Sequence, residues 1–278
     1  MPRVAVVTDS TAALGPDQAA EWGITVVPLD VAAGDRRFRD GVDLDAAQLL
    51  ELVSGGAKIS TSQPAPAAFA EVYQRLADQG VREVVSVHLS GRLSGTVRAA
   101  GLAAQLAPLP VHVVDSLSAG LGLGFAARVA SRFDGDGAAV AAEAERVGHS
   151  TAAWFVVDSL DHLRRGGRIS AASAALGTVL GLRPVLALRD GRIDVVERVR
   201  TRPAARERLV QLVQDEAARR PGPVRIAVHH LGRPEAAEAM AEQLHEVDGA
   251  VEIRVAEVGA VLGGHLGAGA LAVVVVDA

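Results

Sequence analysis

The chain of 278 residues contains no cysteine, and Lys58 is its only lysine. The absence of cysteine excludes disulfides, thiolate metal ligands and a cysteine nucleophile. A Walker-type phosphate loop needs a Gly-Lys-Ser/Thr run, which this sequence does not contain. Aromatic residues make up only 3 % of the chain, so any internal cavity would be lined mainly by aliphatic side chains. Such a lining suits an alkyl chain better than a flat aromatic ligand.

Long apolar runs and a basic stripe are also missing. No run of the sequence approaches the ~20 apolar residues that a membrane-spanning helix needs. The segment Met1–Ser10 lacks the basic start, apolar stretch and cleavage site of a secretory signal, so we expect a cytoplasmic protein. The net charge is −5 and the arginines are scattered among acidic residues, which argues against binding of nucleic acid.

In the first half, short runs rich in valine and isoleucine alternate with longer alanine-rich segments. The strand-like runs are Arg3–Val7, Ile24–Leu29, Val81–His88, Val111–Asp115 and Trp154–Val157. The helical segments between them are Asp45–Val53, Ala67–Ala77, Val97–Leu106 and Phe125–Val147. This alternation predicts a parallel sheet covered by helices on both faces.

The pattern changes near residue 150. Two strand-like runs flank Asp190-Gly191, which predicts a β-hairpin because both turn positions need positive φ angles. The other elements expected there are the helices Pro203–Arg219 and Pro234–His245 and the strands Val224–His229, Val251–Val255 and Leu271–Val276. We therefore predict an α/β protein of two domains, with a parallel-sheet N-terminal domain at residues 1–150 and a mixed α+β C-terminal domain at residues 151–278.

Polar clusters follow several of the predicted strands. They are Thr8–Thr11, Ser60–Pro64, Leu89–Thr96 and Gly263–Gly269, and a fifth cluster covers Arg164–Ser170. Ligands of open α/β sheets bind at the carboxyl ends of strands, where hydroxyl and backbone N–H groups can hold an anion. Each cluster also has an ordinary structural explanation, since serine and threonine often cap helices and glycine often ends them.

Taken in order, seven motifs resemble the DegV family of fatty-acid-binding proteins. They are TDST (8–11), TSQP (61–64), LSGRLSGT (89–96), VDS (114–116), LRRGGRIS (163–170), RPVLALRDGRI (183–193) and GGHLGAGAL (263–271). The motifs cover nearly the whole chain. The resemblance implies two α/β domains with a ligand cleft between them. It also implies a long-chain fatty acid, such as palmitate or oleate, in an apolar tunnel with its carboxylate held by polar loops.

The resemblance also implies which residues bind the ligand. By their place in the motifs, the ligand-binding residues are Thr61, Ser62, Ser90, Gly91, Ser94, Arg168 and His265. The family usually has two adjacent serines where this chain has Ser90-Gly91. If the second serine contacts the carboxylate, Ser94 or a backbone N–H group must replace it here.

By the same resemblance we expect a monomeric lipid carrier without a cofactor or metal, not an enzyme. A separate ATP-dependent fatty acid kinase would act on the bound lipid, and transient contact with a membrane is compatible with this role. The main alternative is a serine hydrolase or other small-molecule enzyme that uses serine and histidine at the same cleft. The sequence has no G-x-S-x-G elbow, no complete dinucleotide fingerprint and no H-E-x-x-H. A regulatory role of the lipid-bound state also remains open.

Overall fold

The computed structural model describes residues 4–169 and 182–278. Arg3 of the first predicted strand and Ser170 of the fifth polar cluster lie outside the described residues. Up to residue 149 the elements are β1 (Val4–Asp9), a short 3-10 helix (Ser10–Ala12), α1 (Pro16–Glu21), β2 (Ile24–Val27), β3 (Asp30–Ala33), β4 (Arg36–Arg39), α2 (Ala46–Ser54), β5 (Ile59–Ser62), α3 (Pro66–Asp78), β6 (Glu83–His88), α4 (Thr96–Ala104), β7 (Val111–Asp115), α5 (Leu121–Arg132) and α6 (Gly137–His149). After it they are β8 (Ala152–Val156), α7 (Asp161–Arg165), β9 (Arg183–Arg189), β10 (Arg192–Val199), α8 (Arg202–Ala217), β11 (Val224–His230), α9 (Pro234–Leu244), β12 (Ala250–Glu257), α10 (Ala260–Leu266) and β13 (Leu271–Asp277).

The first half contains a parallel sheet, as the sequence predicts, but the predicted strand Trp154–Val157 does not belong to it. That segment falls on β8, which pairs antiparallel with β9 and β13 in the other sheet, because an apolar run indicates a buried strand but not its partners. The strand order of the parallel sheet is β2-β1-β6-β7, and all three pairings are parallel. In this register Val6 lies beside Ile24 on one side and Val85 on the other. Strands buried on both faces need an apolar residue at nearly every position, which is why these segments read as continuous valine-rich runs.

The two faces of this sheet belong to different cores. Val7 and Val84 pack with Phe69 and Tyr73 of α3 on one face. Val6 and Val85 point to the other face, which α5 covers. Successive side chains of a strand alternate between faces, so each strand contributes to both cores.

A second, smaller sheet in the first half is absent from the sequence prediction. It has the order β4-β3-β5 and is antiparallel throughout. Its strands are four residues long, and β4 reads Arg-Arg-Phe-Arg. Such short polar strands do not produce the long apolar signal of the parallel sheet. This sheet matters for the site because β5 carries Thr61 and Ser62.

The second half contains a mixed sheet of six strands, as the fold class predicts. Its order is β10-β9-β8-β13-β11-β12, and only the β11–β12 pairing is parallel. The predicted hairpin is confirmed, since β9 and β10 pair antiparallel around Asp190 (φ 47°) and Gly191 (φ 73°). Helices α8 and α9 cover one face of this sheet.

The single helix predicted over Phe125–Val147 is wrong. The chain leaves α5 at Phe133, whose backbone is extended, and α6 starts after Asp136. The Asp136 side chain accepts a hydrogen bond from the Ala139 N–H (2.9 Å), which caps the new helix. The sequence signal for the break is Asp134-Gly135-Asp136, which interrupts an otherwise continuous apolar spacing.

The largest buried apolar cluster spans both halves of the chain. It joins Val6 and Val85 of the parallel sheet to Leu186 and Val274 of the six-stranded sheet, with α5 between them. The division into domains at residue 150 stays a prediction. None of the helices in the described residues has the length and hydrophobicity that crossing a bilayer requires.

Candidate functional site

Two polar side chains that are 204 positions apart meet between the halves of the chain. Thr61 on β5 places its Oγ1 atom 2.7 Å from Nε2 of His265, which lies in the last turn of α10. Both groups are partly buried. Strand β5 and α10 are brought together by packing, since Gly264 faces Ile59 so closely that a Cβ atom would lie 2.7 Å from its Cγ2 atom.

The glycines around His265 let helices and strands approach each other. A Cβ atom at Gly263 would lie 2.6 Å from Leu49 Cδ2, so glycine is needed where α10 crosses α2. A Cβ atom at Gly267 would lie 2.8 Å from His162 Cδ2, and its φ angle is +78°. These glycines therefore fix the position of the imidazole by allowing close packing of α10 against its neighbours.

The electrostatic environment keeps His265 neutral near pH 7. Burial, together with the positive charge of Arg168 and the neighbouring His162, lowers the pKa of His265 to about 4. A neutral imidazole has one N–H donor and one acceptor nitrogen. The Thr61 hydroxyl can therefore accept from His265 Nε2–H and donate its own proton onward.

Arg168 lies beside this pair and is anchored by backbone carbonyl groups. Its Nε donates to the Leu93 carbonyl (3.0 Å), and its Nη1 donates to the Gly166 carbonyl. Burial lowers the pKa of the Arg168 guanidinium, which nevertheless stays charged. The segment before α4 and the turn after α7 thus hold a partly buried cation beside the threonine and the histidine.

A cavity of about 60 Å³, which we call the inner cavity, is lined by these polar groups and by apolar side chains. Its polar lining consists of Thr61, Ser62, Gln63, Ser94, Arg168 and His265. Its apolar lining consists of Leu29, Leu89, Leu93, Leu163, Ile193, Val261, Leu262 and Leu266. Because Thr61, Arg168 and His265 adjoin one another, they form a polar end of the cavity, and residues from both halves of the chain form its wall.

A larger cavity of about 540 Å³ opens beside the same polar groups. It shares Thr61, Arg168 and His265 with the inner cavity, and Lys58 and Arg165 also line it. No acidic side chain is among its described lining residues. The polar end of the inner cavity therefore faces a basic opening, which the sequence analysis did not predict.

Ser90 and Gly91 do not line either cavity, although the resemblance placed them at the ligand. Ser90 is fully buried, and its hydroxyl donates to the Gly191 carbonyl in the β9–β10 turn (2.8 Å). The Gly91 N–H donates to the Asp115 carboxylate (3.1 Å). Of the serines in the motif at residues 89–96, Ser94 is the one that reaches the inner cavity. Its hydroxyl also lies 2.8 Å from Thr96 Oγ1.

A buried chain of polar side chains contains serine, histidine and aspartate, but none of these side chains lines the inner cavity. Tyr73 OH donates to Ser86 Oγ (2.9 Å), and Ser86 Oγ lies 2.7 Å from His88 Nε2. His88 Nδ1 lies 3.0 Å from Asp9 Oδ2. Because a carboxylate only accepts, the bond to Asp9 places a proton on His88 Nδ1, and Nε2 of a neutral ring can then accept from Ser86. The spacing resembles a hydrolytic triad, but Ser86, His88 and Asp9 are 0 % exposed, so no substrate reaches the serine.

Asp9 also explains the first polar cluster, Thr8–Thr11, in structural terms. Its carboxylate accepts from the Thr11 N–H and the Leu89 N–H, each at 3.0 Å. Asp9 thus braces the turn after β1, which is the structural explanation for Thr8–Thr11. Among residues 4–169 and 182–278, no three His, Asp or Glu side chains are arranged to hold a metal ion.

Comparisons with known proteins agree on one family. A model of the DegV family, described as a family of uncharacterised proteins, matches residues 3–278. A DegV domain-containing protein of Streptomyces coelicolor is 45 % identical over 276 residues, which cover 98 % of each chain. A solved structure described as fatty acid binding of a DegV family protein from Thermus thermophilus is 36 % identical with a TM-score of 0.92, and covers 100 % of both chains. DegV of Bacillus subtilis, described as a fatty acid binding protein, is 32 % identical with a TM-score of 0.89 and the same coverage.

Proposed function

The chain belongs to the DegV family, and on that premise we propose that it binds a long-chain fatty acid in the inner cavity between its two halves. The observation that carries this proposal is the Thr61–His265 contact at the polar end of an aliphatic cavity. The solved relatives from Thermus thermophilus and Bacillus subtilis are both described as binding fatty acids.

The carboxylate of the ligand would lie beside Thr61, Ser62 and Ser94. In this arrangement neutral His265 donates from Nε2 to Thr61 Oγ1, and the Thr61 hydroxyl donates to the carboxylate. Arg168 contributes a partly buried positive charge at the same end. A desolvated carboxylate is costly unless it is paired and hydrogen-bonded, and these groups supply both the donors and the charge. Ser90 and Gly91 would not contact the ligand. Their hydrogen bonds to Gly191 and Asp115 would hold the loop on which Ser94 lies.

The alkyl chain would lie among the leucine, isoleucine and valine side chains of the inner cavity. Burial of ~14 methylenes is worth roughly 11 kcal/mol before the costs of ordering the chain are subtracted. The cavity of about 60 Å³ is smaller than the ~300–1,000 Å³ of typical ligand sites. Binding therefore requires the apolar wall to open, whereas the polar end is already assembled.

The role we propose is that of a monomeric, cytoplasmic carrier, not an enzyme, that presents the lipid to a fatty acid kinase. The basic opening beside the head group supports it, because an attached or transferred phosphate would enter a region lined by Lys58, Arg165 and Arg168. A hydrolase role is disfavoured because the aligned serine, Ser86, is fully buried. Formation of acyl phosphate from the loaded protein, ATP and a bacterial fatty acid kinase subunit would test this part of the proposal.

The binding proposal is tested directly by lipid analysis. Protein purified under native conditions is denatured and extracted, and the extract is analysed by mass spectrometry for acyl species. The delipidated protein is then titrated with palmitate and oleate. We expect about one fatty acid per chain and saturable binding of at least one of the two. If no acyl species is extracted and neither lipid binds, the inner cavity does not have this function.

A further inference from the structure

A third cavity, on the other side of the six-stranded sheet, is not explained by fatty acid binding. It has a volume of about 270 Å³ and lies where α8 and α9 begin. Its apolar floor includes Val156, Ala205 and Leu271, which belong to the core that α8 and α9 cover. The fatty acid cavity is lined instead by members of the central core, such as Leu163 and Val261.

The rim of this cavity concentrates positive charge around one carboxylate. Asp158 lies within ion-pair distance of Arg202 (2.9 Å), Arg183 (3.2 Å) and Arg233 (3.6 Å). The described lining also includes Arg206 and Glu235. Four arginines and two carboxylates leave this rim with an excess of two positive charges.

Stability alone is a weak reason for this arrangement. The side chains of Arg183, Arg202 and Arg233 are 31 %, 51 % and 45 % exposed. Ion pairs at this exposure typically contribute about 0–1 kcal/mol. One carboxylate has about four acceptor positions, whereas three guanidinium groups offer about fifteen N–H donors. Most of these donors therefore remain for a ligand or for water.

The two helices that begin at the cavity add to the positive potential. Helix α8 has no acidic residue in its first turn, although the Thr201 side chain caps it. Helix α9 has no side-chain cap at Arg233, and its first turn carries Glu235, which is one of the two carboxylates already counted in the rim. The positive end of a helix dipole favours anions. Gly269 has a φ angle of +83°, and a Cβ atom there would lie 2.5 Å from Asp158 Oδ2. Glycine therefore allows the backbone at position 269 to pass close to the Asp158 carboxylate.

From this arrangement we infer that the cavity is a binding site for a small molecule that carries a phosphate group. A phosphate monoester has a charge of about −1.5 to −2 near pH 7, which matches the excess charge of the rim. The guanidinium fork suits the paired oxygens of phosphate. The apolar floor would take a small organic group attached to it.

The test is isothermal titration calorimetry of the full chain with inorganic phosphate and with phenyl phosphate at constant ionic strength. We expect saturable binding with one site per chain. Arg202→Gln and Arg233→Gln should each weaken it at least about tenfold, because each removes charge-assisted hydrogen bonds. Arg202→Lys should retain part of the affinity, since it keeps the charge and loses the fork. The matched control is Arg219→Gln, an arginine of the second half that is 70 % exposed and does not line this cavity.

Palmitate binding and the thermal unfolding temperature serve as checks that the variants fold. A second arm uses vesicles of phosphatidylcholine with and without phosphatidic acid, which separates a lipid head group from a free phosphate compound. Absence of saturable phosphate binding, equal binding by Arg202→Gln and wild type, or binding only to phosphatidic acid vesicles would each overturn the inference. Failure of wild-type palmitate binding would refute the fatty acid proposal and leave this one standing.

Discussion

Replacing Thr61 by valine removes a single hydroxyl group from the proposed fatty acid site. Valine has nearly the same shape as threonine and suits a β-strand, so strand β5 should be retained. The lost groups are the donor to the ligand carboxylate and the partner of His265 Nε2, which lies 2.7 Å from Thr61 Oγ1. A hydrogen bond to a charged group contributes about 1.5–3 kcal/mol, so fatty acid affinity should fall roughly 10- to 150-fold.

The assay is equilibrium binding of palmitate or oleate to delipidated protein near pH 7.5. Thr25→Val is a matched control, because Thr25 also lies on a strand of the first half, β2, and does not line the inner cavity. The control should bind with wild-type affinity. If Thr61→Val also binds within about twofold of wild type, the carboxylate is not held at Thr61, and the head group must lie elsewhere.

A double-mutant cycle with His265→Gln tests the proposed relay. Two side chains in direct contact that act on the same group should be strongly non-additive. We expect the double variant to lose little more affinity than the more damaging single variant. Fully additive losses would mean that threonine and histidine contact the ligand independently, which would contradict a chain of donors from His265 through Thr61.

Three further predictions follow from the same structure. Ser94→Ala should weaken palmitate binding about tenfold in equilibrium titrations, whereas Ser90→Ala should mainly lower the free energy of unfolding by about 1–3 kcal/mol, because it leaves the Gly191 carbonyl unpaired; the reverse outcome would contradict the assignment of the two serines. Burial raises the pKa of Asp40 to about 6 from 3.8. As the pH rises from 4 to 7, the wild type should therefore lose up to roughly 3 kcal/mol of unfolding free energy relative to Asp40→Asn. Denaturant unfolding at several pH values measures this, and parallel pH profiles would refute it. Burial lowers the pKa of His229 to about 4 from 6.5, which has the opposite sign: from pH 4 to 6.5 the wild type should gain up to roughly 3 kcal/mol relative to His229→Gln in the same assay, and a constant difference would contradict it.

The parallel sheet was readable from the sequence because its strands are buried on both faces. Val4–Asp9 begins with four apolar residues and Glu83–His88 contains three valines, and such valine-rich segments separated by helices are typical of a covered parallel sheet. The hairpin at Asp190-Gly191 was readable for another local reason, since its turn needs two positive φ angles. In both cases the physical requirement is met by residues that are close in sequence.

The features that escaped prediction depend on distant contacts. Strands β3, β4 and β5 are short and partly charged, so each gains its strand conformation from its partner. The direction of each serine in the motif at residues 89–96 also depends on distant groups. Ser90 turns to the Gly191 carbonyl, which is 101 positions away, and Ser94 faces the inner cavity. The order of the motifs identified the loop but not which of its serines lines the inner cavity.

The meeting of Thr61 with His265 could not be derived from periodicity or composition. It was expected only from the resemblance to a known family, because no local signal relates positions 204 residues apart. The buried chain from Tyr73 to Asp9 was missed for a similar reason. Alternation on β6 places Ser86 and His88 on one face, but the donors and acceptors that complete the chain come from α3 and β1.

Several bonds between the halves hold the helix that carries His265. Asp40, which follows β4, accepts a hydrogen bond from the Ala260 N–H at the start of α10 (2.7 Å), and Thr61 contacts His265 at its end. The same carboxylate lies so near Gly259 that a Cβ atom there would be 2.8 Å from Oδ1. Moving α10 would therefore break buried polar contacts at both of its ends, and an unpaired buried polar group costs about 1–3 kcal/mol.

The apolar wall has no comparable constraint, because leucine side chains such as Leu93 and Leu262 can change rotamer without breaking a hydrogen bond. Opening of a 60 Å³ cavity to the size of an alkyl chain should therefore occur at the aliphatic end, while the groups around the carboxylate keep their positions. It follows that preference for one chain length or saturation is set by the leucine, isoleucine and valine side chains. In the proposed site, Thr61 and His265 would set the requirement for a carboxylate, whichever alkyl chain is attached to it.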